Sequence, residues 1–585
     1  MSYRRKRLLI LFCAAGFTLG GMTACRQNTE NNVETKEIVT EVTTYVQLSD
    51  DEITADAKGV TVEDHTVTIS KEGTYVFSGT LSEGQIIVDA ADTDKVQIIL
   101  DNVDITCATS AAIYVKNADK VYVTLEENSQ NTLRNTDEYV AIDDNNIDAV
   151  IFSKSDLTLN GSGSLTIEAA NGHGVVSKDD LEITSGTYDI TAASHALSGK
   201  DSVSIADGTF TLSSGKDGIH SENTEEEEKG FVSIAGGSFT ITSDGDGIDA
   251  SGTVEIEDGV FDITAGGGAE NGSKQNNPGM GGSRPEGEIP QMGEKPEGEK
   301  PEGEIPQMGE TTTEDGTSTK GIKADQSICL NGGTYKIDSA DDAIHSNASV
   351  TVTEGTYTLV TGDDGIHADD ALEINGGTMT ITESYEGLEG LTVTINDGTI
   401  DITASDDGVN AAGGADASGF GLFGQDAFKG MTKSSDTDGT SEMWMEINGG
   451  YLHVTAGGDG LDSNGDLTVN GGEIYIDGPS DNGNSAIDYG ERSSAYINGG
   501  TIVAVGSSGM AEAMSESSKQ EVLMVKLGEQ KEAGEITLKD SSGNVLISYT
   551  AQKSYDCVII STSDIESGVT YTLETSNTAT EVTAD

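Results

Sequence analysis

Short segments in which apolar and polar residues alternate recur along almost the whole chain. Residues 372–374 and 379–381 are two of them, and such alternation is typical of β-strands that bury one face. The Asn-Gly-Gly sequence at residues 375–377 lies between them and provides the left-handed backbone that a tight turn requires. No segment repeats its apolar residues with the period of a helix, so the pattern predicts an all-β fold.

One phrase accompanies these segments at a fixed interval. It reads Asp-Gly-Ile-His at residues 364–367, and related phrases begin at Asp217, Asp246, Asp342, Asp407 and Asp459. Uninterrupted copies place their second residue in steps of 22, 22, 22 and 21 residues, at Gly321, Ala343, Gly365, Gly387 and Gly408. A constant period of this kind indicates a structural repeat.

A period of about 22 residues leaves no room for a helix between strands. It therefore predicts a right-handed parallel β-helix in which each period is one coil and coils stack about 4.8 Å apart. Ile344 and Ile366 should then be stacked neighbours, within coils running from about residue 60 to 507. Residues 535–538, 542–547, 558–560 and 571–573 lose the period and predict a small C-terminal antiparallel β cap within residues 508–585.

Two insertions interrupt the period. Residues 267–319 carry a ten-residue Pro-Glu-Gly sequence twice and no apolar run able to pack, which predicts a disordered loop. Residues 413–442 place Phe420, Leu422, Phe423 and Phe428 in a Gly/Asp/Ser background. This insertion either folds back onto the coils or presents its apolar residues to a partner.

The charge of the chain restricts its partners. Asp and Glu number 101 against 32 Lys and Arg, a formal net charge of -69. Nucleic acid and anionic membrane surfaces are therefore excluded as direct partners, because both require a basic surface. The aromatic content of only 5% agrees with a thin core.

The N-terminus has the features of a targeting sequence. Four basic residues at 4–7 precede an apolar run at 8–19, and Met22-Thr23-Ala24-Cys25 follows. This sequence resembles the lipobox of bacterial lipoproteins, which implies a lipoprotein signal peptide over residues 1–25 and lipidation of Cys25. Contact with the membrane would then run only through this lipid anchor, on the extracellular face of the cell membrane, with residues 26–45 as a tether. An ordinary signal peptide is the alternative.

Acidic residues of successive coils should form a column. Carboxylates about 5 Å apart repel unless they are protonated or bridged, and calcium accepts many oxygen ligands in irregular geometry. The sequence thus predicts calcium as a cofactor, with these candidate ligands: Asp244, Asp246, Asp249, Asp341, Asp342, Asp363, Asp364, Asp406, Asp407, Asp459 and Asp462. Solvated Asp-Gly turns without a cation are the alternative.

A second column contains histidines. His220, His345 and His367 share their repeat position with Asp249, Lys323, Glu389, Asn410 and Asp462. Such a row could bind a transition metal or act as a base. Because its occupants vary along the column, we expect an exposed polar stripe.

Several of these motifs together carry a family resemblance. The Gly-Ile-His/Asp-Ala phrase, the Ile-Asn-Gly-Gly-Thr turns, the Pro-Glu-Gly insertion and Gly506-Ser507-Ser508-Gly509-Met510-Ala511 resemble the carbohydrate-binding β-helix proteins on the surface of clostridia and related Gram-positive bacteria. The resemblance covers about residues 40–575. It implies a carbohydrate-binding domain over residues 46–507 that is similar to pectate-lyase-type β-helices, binds calcium and has no established catalysis.

The leading functional prediction is a surface-anchored, calcium-dependent protein that binds plant or cell-wall polysaccharide without catalysis. One alternative is a calcium-dependent polysaccharide lyase of the pectate type, in which Lys323, flanked by Asp341 and Asp342 of the next coil, would be the base. The other is a structural or adhesive surface solenoid. The sequence leaves open which glycan is bound.

Overall fold

The computed structural model describes residues 43–55, 58–226, 228–272, 318–412, 443–490, 493–576 and 578–584. The predicted signal peptide, the lipidation site Cys25, the insertion 413–442 and most of the loop 267–319 lie outside the described residues. No helix in the described ranges is long and apolar enough to cross a membrane.

The described chain is built from strands, with one 3-10 helix at Ala269–Asn271. The first ten strands are β1 Thr43–Leu48, β2 Thr54–Ala55, β3 Val60–Glu63, β4 Thr66–Ile69, β5 Gly73–Leu81, β6 Gln85–Asp89, β7 Lys95–Thr106, β8 Ile113–Asn117, β9 Lys120–Leu125 and β10 Gln130–Asn135.

The repeats follow. Their strands up to the loop at 267–319 are β11 Ala149–Ser153, β12 Asp156–Gly161, β13 Ser164–Ala169, β14 His173–Ser177, β15 Asp180–Ile183, β16 Thr187–Ala192, β17 Leu197–Gly199, β18 Ser202–Ile205, β19 Thr209–Ser214, β20 Ile219–Ser221, β21 Phe231–Ile234, β22 Ser238–Ser243, β23 Ile248–Ala250, β24 Thr253–Ile256 and β25 Val260–Ala265. The strands after that loop are β26 Ile322–Ala324, β27 Ser327–Leu330, β28 Thr334–Ser339, β29 Ile344–Ser346, β30 Ser349–Val352, β31 Thr356–Thr361, β32 Ile366–Ile374, β33 Thr378–Glu383, β34 Leu388–Ile395, β35 Thr399–Ala404, β36 Val409–Ala411, β37 Trp444–Ile447, β38 Tyr451–Ala456, β39 Leu461–Ser463, β40 Asp466–Val469, β41 Glu473–Asp477, β42 Ile487–Tyr489, β43 Ala495–Ile497 and β44 Thr501–Gly506. The last strands are β45 Val522–Lys531, β46 Gly534–Lys539, β47 Val545–Ala551, β48 Tyr555–Ser561, β49 Thr570–Thr575 and β50 Thr578–Thr583.

Parallel pairing at a spacing of one repeat dominates the fold. Each strand from β8 to β29 pairs in parallel with the strand three positions later, and β36 to β41 do the same. Ile344 pairs with Ile366, and Ile366 pairs with Leu388. The predicted all-β class, the repeat spacing and this register are confirmed.

The strands fall into three stacks, because each repeat contributes three. A first-stack strand such as β29 carries the Ile-His phrase, a second-stack strand such as β30 follows, and a third-stack strand such as β31 completes the repeat. Alternate residues of the strands point into a common core of Ile, Leu, Val and aromatic side chains. In the third stack, six aromatic rings lie one above the next with centroids 4.7 to 5.3 Å apart, from Tyr188 to Tyr357.

The ends of the array differ from the prediction. Parallel pairing already begins at β1, which pairs with β5, so residues 43–45 of the expected tether belong to a strand. At the other end, β46, β47, β49 and β50 form the expected antiparallel sheet. The predicted strand at 558–560 lies elsewhere: β48 pairs antiparallel with both β44 and β45 and so belongs to the large sheet. Val558 and Ile560 are buried there, which fits a strand that lies between two neighbours of that sheet.

Candidate functional site

Two neighbouring columns of polar residues follow the turn between the third and first stacks. The first column consists of the fourth residue of each phrase, which lies on a first-stack strand. Each of these residues pairs in register with its equivalent in the next repeat. In order, this histidine column contains His220, Asp249, Lys323, His345, His367, Glu389, Asn410 and Asp462. The shared column that the sequence predicts is present.

The histidine column is largely buried, which contradicts the expectation of an exposed stripe. Only 4% of His345 and 1% of His367 is exposed, and their rings stack with centroids 4.9 Å apart. Each imidazole also lies against the acid three residues before it in the chain, with His345 Nδ1 2.8 Å from Asp342 Oδ2. Stacking and pairing with the neighbouring acids therefore remove these side chains from water.

The phrase acids form the second column, and each uses one oxygen to hold the next repeat. Asp342 Oδ1 accepts the backbone N–H of Asp364 at 3.0 Å, and Asp364 Oδ1 accepts that of Glu386 at 3.0 Å. Asp217, Asp246, Asp407 and Asp459 do the same for the residue that follows them in the column. The recurring Asp is thus explained in part by backbone hydrogen bonding, and its second oxygen faces the histidine column.

Cationic side chains lie against the acid column in its N-terminal half. Lys323 Nζ lies 3.0 Å from Asp249 Oδ1 and 3.7 Å from Asp246 Oδ2. Asp249 Oδ2 also lies 3.1 Å from His220 Nδ1. Burial opposes the charged form of His220, but hydrogen bonds to Asp217 and Asp249 outweigh it and raise the pKa of this imidazole to about 10.

Asp341 and Asp342 are neutralised by a residue that sequence reasoning missed. Lys320 Nζ lies 2.5 Å from Asp341 Oδ2 and 3.0 Å from Asp342 Oδ2, and its side chain is nearly buried. Although burial disfavours its charge, Asp342 is held ionised by Lys320 and His345, so its pKa lies well below the usual value. The sequence placed Lys323 beside Asp341 and Asp342, but its ion pairs are with Asp246 and Asp249, which belong to the repeat before it.

The next acids are paired with a histidine. His367 Nδ1 lies 2.7 Å from Glu389 Oε2 and 3.4 Å from Asp364 Oδ2. Asp363 is buried close to Asp341 and Asp342. These predicted ligands therefore lie in a region that already contains cationic side chains.

The acids of the last repeats have a different environment. Ligand oxygens of Asp407, Asp459 and Asp462 lie within 4.8 Å of one another, and Asp406 and Asp488 contribute negative charge beside them. Within the described ranges, no lysine, arginine or histidine forms an ion pair with Asp406, Asp407, Asp459 or Asp462. We call Asp406, Asp407, Asp459 and Asp462 the acidic cluster.

Burial together with mutual repulsion shifts the titration of the acidic cluster. Burial and the charges of Asp462, Asp488 and Asp406 raise the pKa of Asp459 to about 7. Burial and the charges of Asp488 and Asp406 raise that of Asp462 to about 6. The pKa of Asp407 is raised by burial and by its three neighbours in the cluster. A divalent cation would relieve this repulsion, and carboxylate oxygens are the ligands that calcium prefers.

The remaining predicted ligand, Asp244, lies apart from these groups. Its side chain is exposed, and its backbone N–H donates to the carbonyl of Ser214. The structure therefore brings Asp246 and Asp249 together without Asp244.

Two further groups were not found from the sequence. His173, His195 and His220 stack with centroids 5.0 and 4.2 Å apart, and both His195 and His220 lie about 3 Å from Asp217 Oδ2. Asp156, Asp179 and Asp180 form the other group. The 22-residue spacing from His173 to His195 was the available signal for the first.

A family model and a curated relative point to the same family. The model of the family described as carbohydrate-binding domain-containing protein matches residues 63–365 and 363–520. A carbohydrate-binding domain-containing protein of Acetivibrio thermocellus is 40% identical over 194 residues, which cover 33% of this chain and 68% of the relative. A solved structure, described as a gadolinium derivative of the polysaccharide lyase-like protein from C. thermocellum, is 38% identical, with a TM-score of 0.38 over 39% of this chain and 92% of that one. The chain belongs to the carbohydrate-binding domain-containing protein family.

Proposed function

We propose that the chain is a calcium-dependent polysaccharide-binding protein without catalytic activity, displayed on the extracellular face of the cell membrane by a lipid on Cys25. The polysaccharide partner follows from the family to which the chain belongs. The lipid anchor rests on the Met22-Thr23-Ala24-Cys25 sequence. Labelling cells with a radioactive fatty acid tests the anchor: label should enter the parent chain and be absent from Cys25→Ser.

The parallel strands are proposed to wind as a right-handed β-helix. Direct register between residues one repeat apart supports this winding, as does a row of asparagines in the turns. Asn396, Asn448 and Asn470 each donate a side-chain hydrogen bond to the asparagine one repeat earlier, at 2.8 to 2.9 Å. A crystal structure should show right-handed crossovers between successive repeats, and left-handed crossovers would contradict the proposal.

In the part of the chain that the structure describes, the acidic cluster has no cationic partner, and this observation carries the proposal of calcium binding. Every phrase acid from Asp217 to Asp364 lies against a lysine or histidine, whereas among the described residues the cluster acids form no ion pair with a lysine, arginine or histidine. Asp407 and Asp459 would bind the ion through Oδ2, since their Oδ1 atoms accept backbone N–H groups. Water would complete the six to eight oxygen ligands that calcium takes.

The environment of Lys323 supports binding over lyase chemistry. A base that removes a sugar proton must be neutral, and burial alone would lower the pKa of this amine. The carboxylates of Asp249 and Asp246 outweigh burial and raise the pKa of Lys323 above its usual value. The amine is therefore protonated and acts as a counter-ion within the column.

An activity assay distinguishes these two functions. The full chain is incubated with polygalacturonate and calcium, and the unsaturated product is followed by its absorbance. We expect no product from the parent protein or from Lys323→Ala. Steady product formation by the parent that disappears in Lys323→Ala would replace the proposal with the lyase.

A further inference from the structure

An open groove of about 680 Å³ crosses four neighbouring repeats at the start of their third-stack strands. Thr399, Tyr451, Glu473 and Thr501 line it, and they pair with one another in register as the first residues of β35, β38, β41 and β44. Three strand spacings of about 4.8 Å give the groove a length of about 14 Å. Ser563, after β48, lies at its margin.

The groove lies where the internal ladder of aromatic rings has ended. From Tyr188 to Tyr357, a ring fills the space under each turn, so that a Cβ added to Gly355 would lie 2.7 Å from the Tyr357 hydroxyl. In the later repeats the ring is replaced by a smaller aliphatic side chain, such as Leu452 or Ile474. An aromatic side chain instead appears on the outer surface of the same strand, at Tyr451, which is 39% exposed.

The floor of the groove is a rigid set of turns. Gly450 and Gly472 have φ angles of 84° and 97°, which only glycine adopts without strain. The asparagine row holds these turns, with Asn448 donating to Asn396 at 2.9 Å and Asn470 donating to Asn448 at 2.8 Å. The groove is thus formed before a ligand arrives, which reduces the entropic cost of binding.

Tyr451 is the end of a supported row of tyrosines. Its ring contacts Tyr475 with centroids 5.7 Å apart, and Tyr475 stacks on Tyr549 at 5.2 Å. The Tyr549 hydroxyl donates to Asp477 Oδ2 at 2.5 Å, which fixes the far end of the row. A held, exposed aromatic face suits the C–H face of a sugar ring, because the electron-rich ring attracts the weakly positive hydrogens.

The polar groups of the groove indicate which sugars it accepts. Asp397 and Glu473 provide carboxylates, and Thr399, Thr501 and Ser563 provide hydroxyls, whereas no lysine or arginine lines the groove among the described residues. Carboxylates accept hydrogen bonds from sugar hydroxyls, but they repel the carboxylate of a uronic acid.

We propose that this groove binds a neutral oligosaccharide chain, with one sugar ring packed on Tyr451. The proposal rests on the proposed polysaccharide binding and names its site and the charge class of its ligand. It also gives calcium a role in binding: β38 runs from Tyr451 in the groove towards Asp459 in the acidic cluster, so an ion bound by the cluster would hold the repeats that carry the groove. The six residues of β38 span about 20 Å.

Calorimetric titration of the full chain tests this site. The probes are neutral hexasaccharides with glucose, xylose, mannose or galactose backbones, together with hexagalacturonate. We expect at least one neutral probe to bind and hexagalacturonate not to bind. Tyr451→Ala should weaken the neutral probe at least about tenfold, and Tyr451→Phe should retain its affinity.

The control variant is Tyr45→Ala, which removes a tyrosine that is 71% exposed on β1. Its affinity should equal that of the parent, and the melting temperature of Tyr451→Ala should match the parent's. If Tyr451→Ala and Glu473→Gln both bind the neutral probe normally, the groove is wrong while polysaccharide binding stands. Tighter binding of hexagalacturonate than of the neutral probes would show that the ligand is not a neutral sugar. If no probe binds, both the site and the proposed function are wrong.

Discussion

Replacing one acid of the cluster by its neutral amide should stabilise the calcium-free protein. Asp459→Asn keeps an oxygen that can accept the backbone N–H of Ser485 but removes a charge that burial and three neighbouring acids disfavour. The raised pKa of Asp459, about 7 against an ordinary 3.8, corresponds to about 4 kcal/mol once both states are ionised.

The sign of this effect depends on pH in a defined way. The penalty is absent below pH 3.8, where the carboxyl is protonated in both states; it grows between pH 3.8 and the folded pKa of about 7 and is constant above that. The substitution should therefore stabilise the calcium-free repeats by about 2 kcal/mol at pH 5 and about 4 kcal/mol at pH 8. With calcium bound, the order should reverse, because the variant loses a ligand.

Asp342→Asn is the matched control. Asp342 occupies the same column and also accepts a backbone N–H through Oδ1, but it contacts Lys320 and His345. Its neutralisation leaves buried cations with fewer partners and should destabilise the protein by about 3–5 kcal/mol, with or without calcium.

Hydrogen exchange followed peptide by peptide in EDTA measures these local free energies. Peptides within residues 443–490 should exchange more slowly in Asp459→Asn than in the parent at pH 8. If Asp459→Asn accelerates exchange there as Asp342→Asn does in its own repeats, the acidic cluster carries no unrelieved repulsion and the reasoning fails.

Three further predictions concern the core, the turns and calcium. Ile366→Ala should lower the free energy of unfolding by about 2–5 kcal/mol in urea titrations, since Ile366 is fully buried between its neighbours in the stack; a neutral effect would contradict the core packing. Asn448→Ala should cost about 1–2 kcal/mol in the same titrations, because two side-chain hydrogen bonds are lost; unchanged stability would show that the row contributes nothing. Calcium at 100 times its Kd should stabilise the parent by about 2.7 kcal/mol at pH 8 and by less at pH 5, where protons compete for the cluster; equal melting temperatures in EDTA and calcium at both pH values would remove the site.

The repeat and its register were predictable because their causes are local. An inward Ile recurs every 22 residues, so Ile344 and Ile366 had to stack once the strands ran in parallel. The left-handed turn was equally accessible, because Gly377 has a φ of 91° that an L-residue rarely adopts. These features depend on one residue and its own copy in the next repeat.

The burial of the histidine column was not predictable in this way. Whether His345 is exposed depends on Asp342 in the adjacent column and on the stacked ring of His367, and neither partner is evident from one position alone. The position of Lys320, by contrast, could have been predicted from the sequence. Aligning Lys320-Gly321-Ile322 with the other phrases places this cation in the acid column.

Strand β48 was assigned to the wrong sheet for a physical reason that its sequence shows. Val558, Ile559 and Ile560 form a continuous apolar run, which is typical of a strand buried on both faces. A strand of the small C-terminal sheet would alternate. The continuous apolar run, in place of alternation, thus indicates the observed position of β48 against β44, where it covers the end of the parallel array.

Retention of the full chain on insoluble polysaccharides, with calcium and with EDTA, tests the account most directly. The panel contains neutral glucans, xylans, mannans and galactans together with pectate, and the supernatant is assayed for released sugar ends. The account predicts saturable retention on a neutral polysaccharide in calcium, weaker retention in EDTA and no released product. Failure to be retained on any polysaccharide, or retention accompanied by product release, would contradict it.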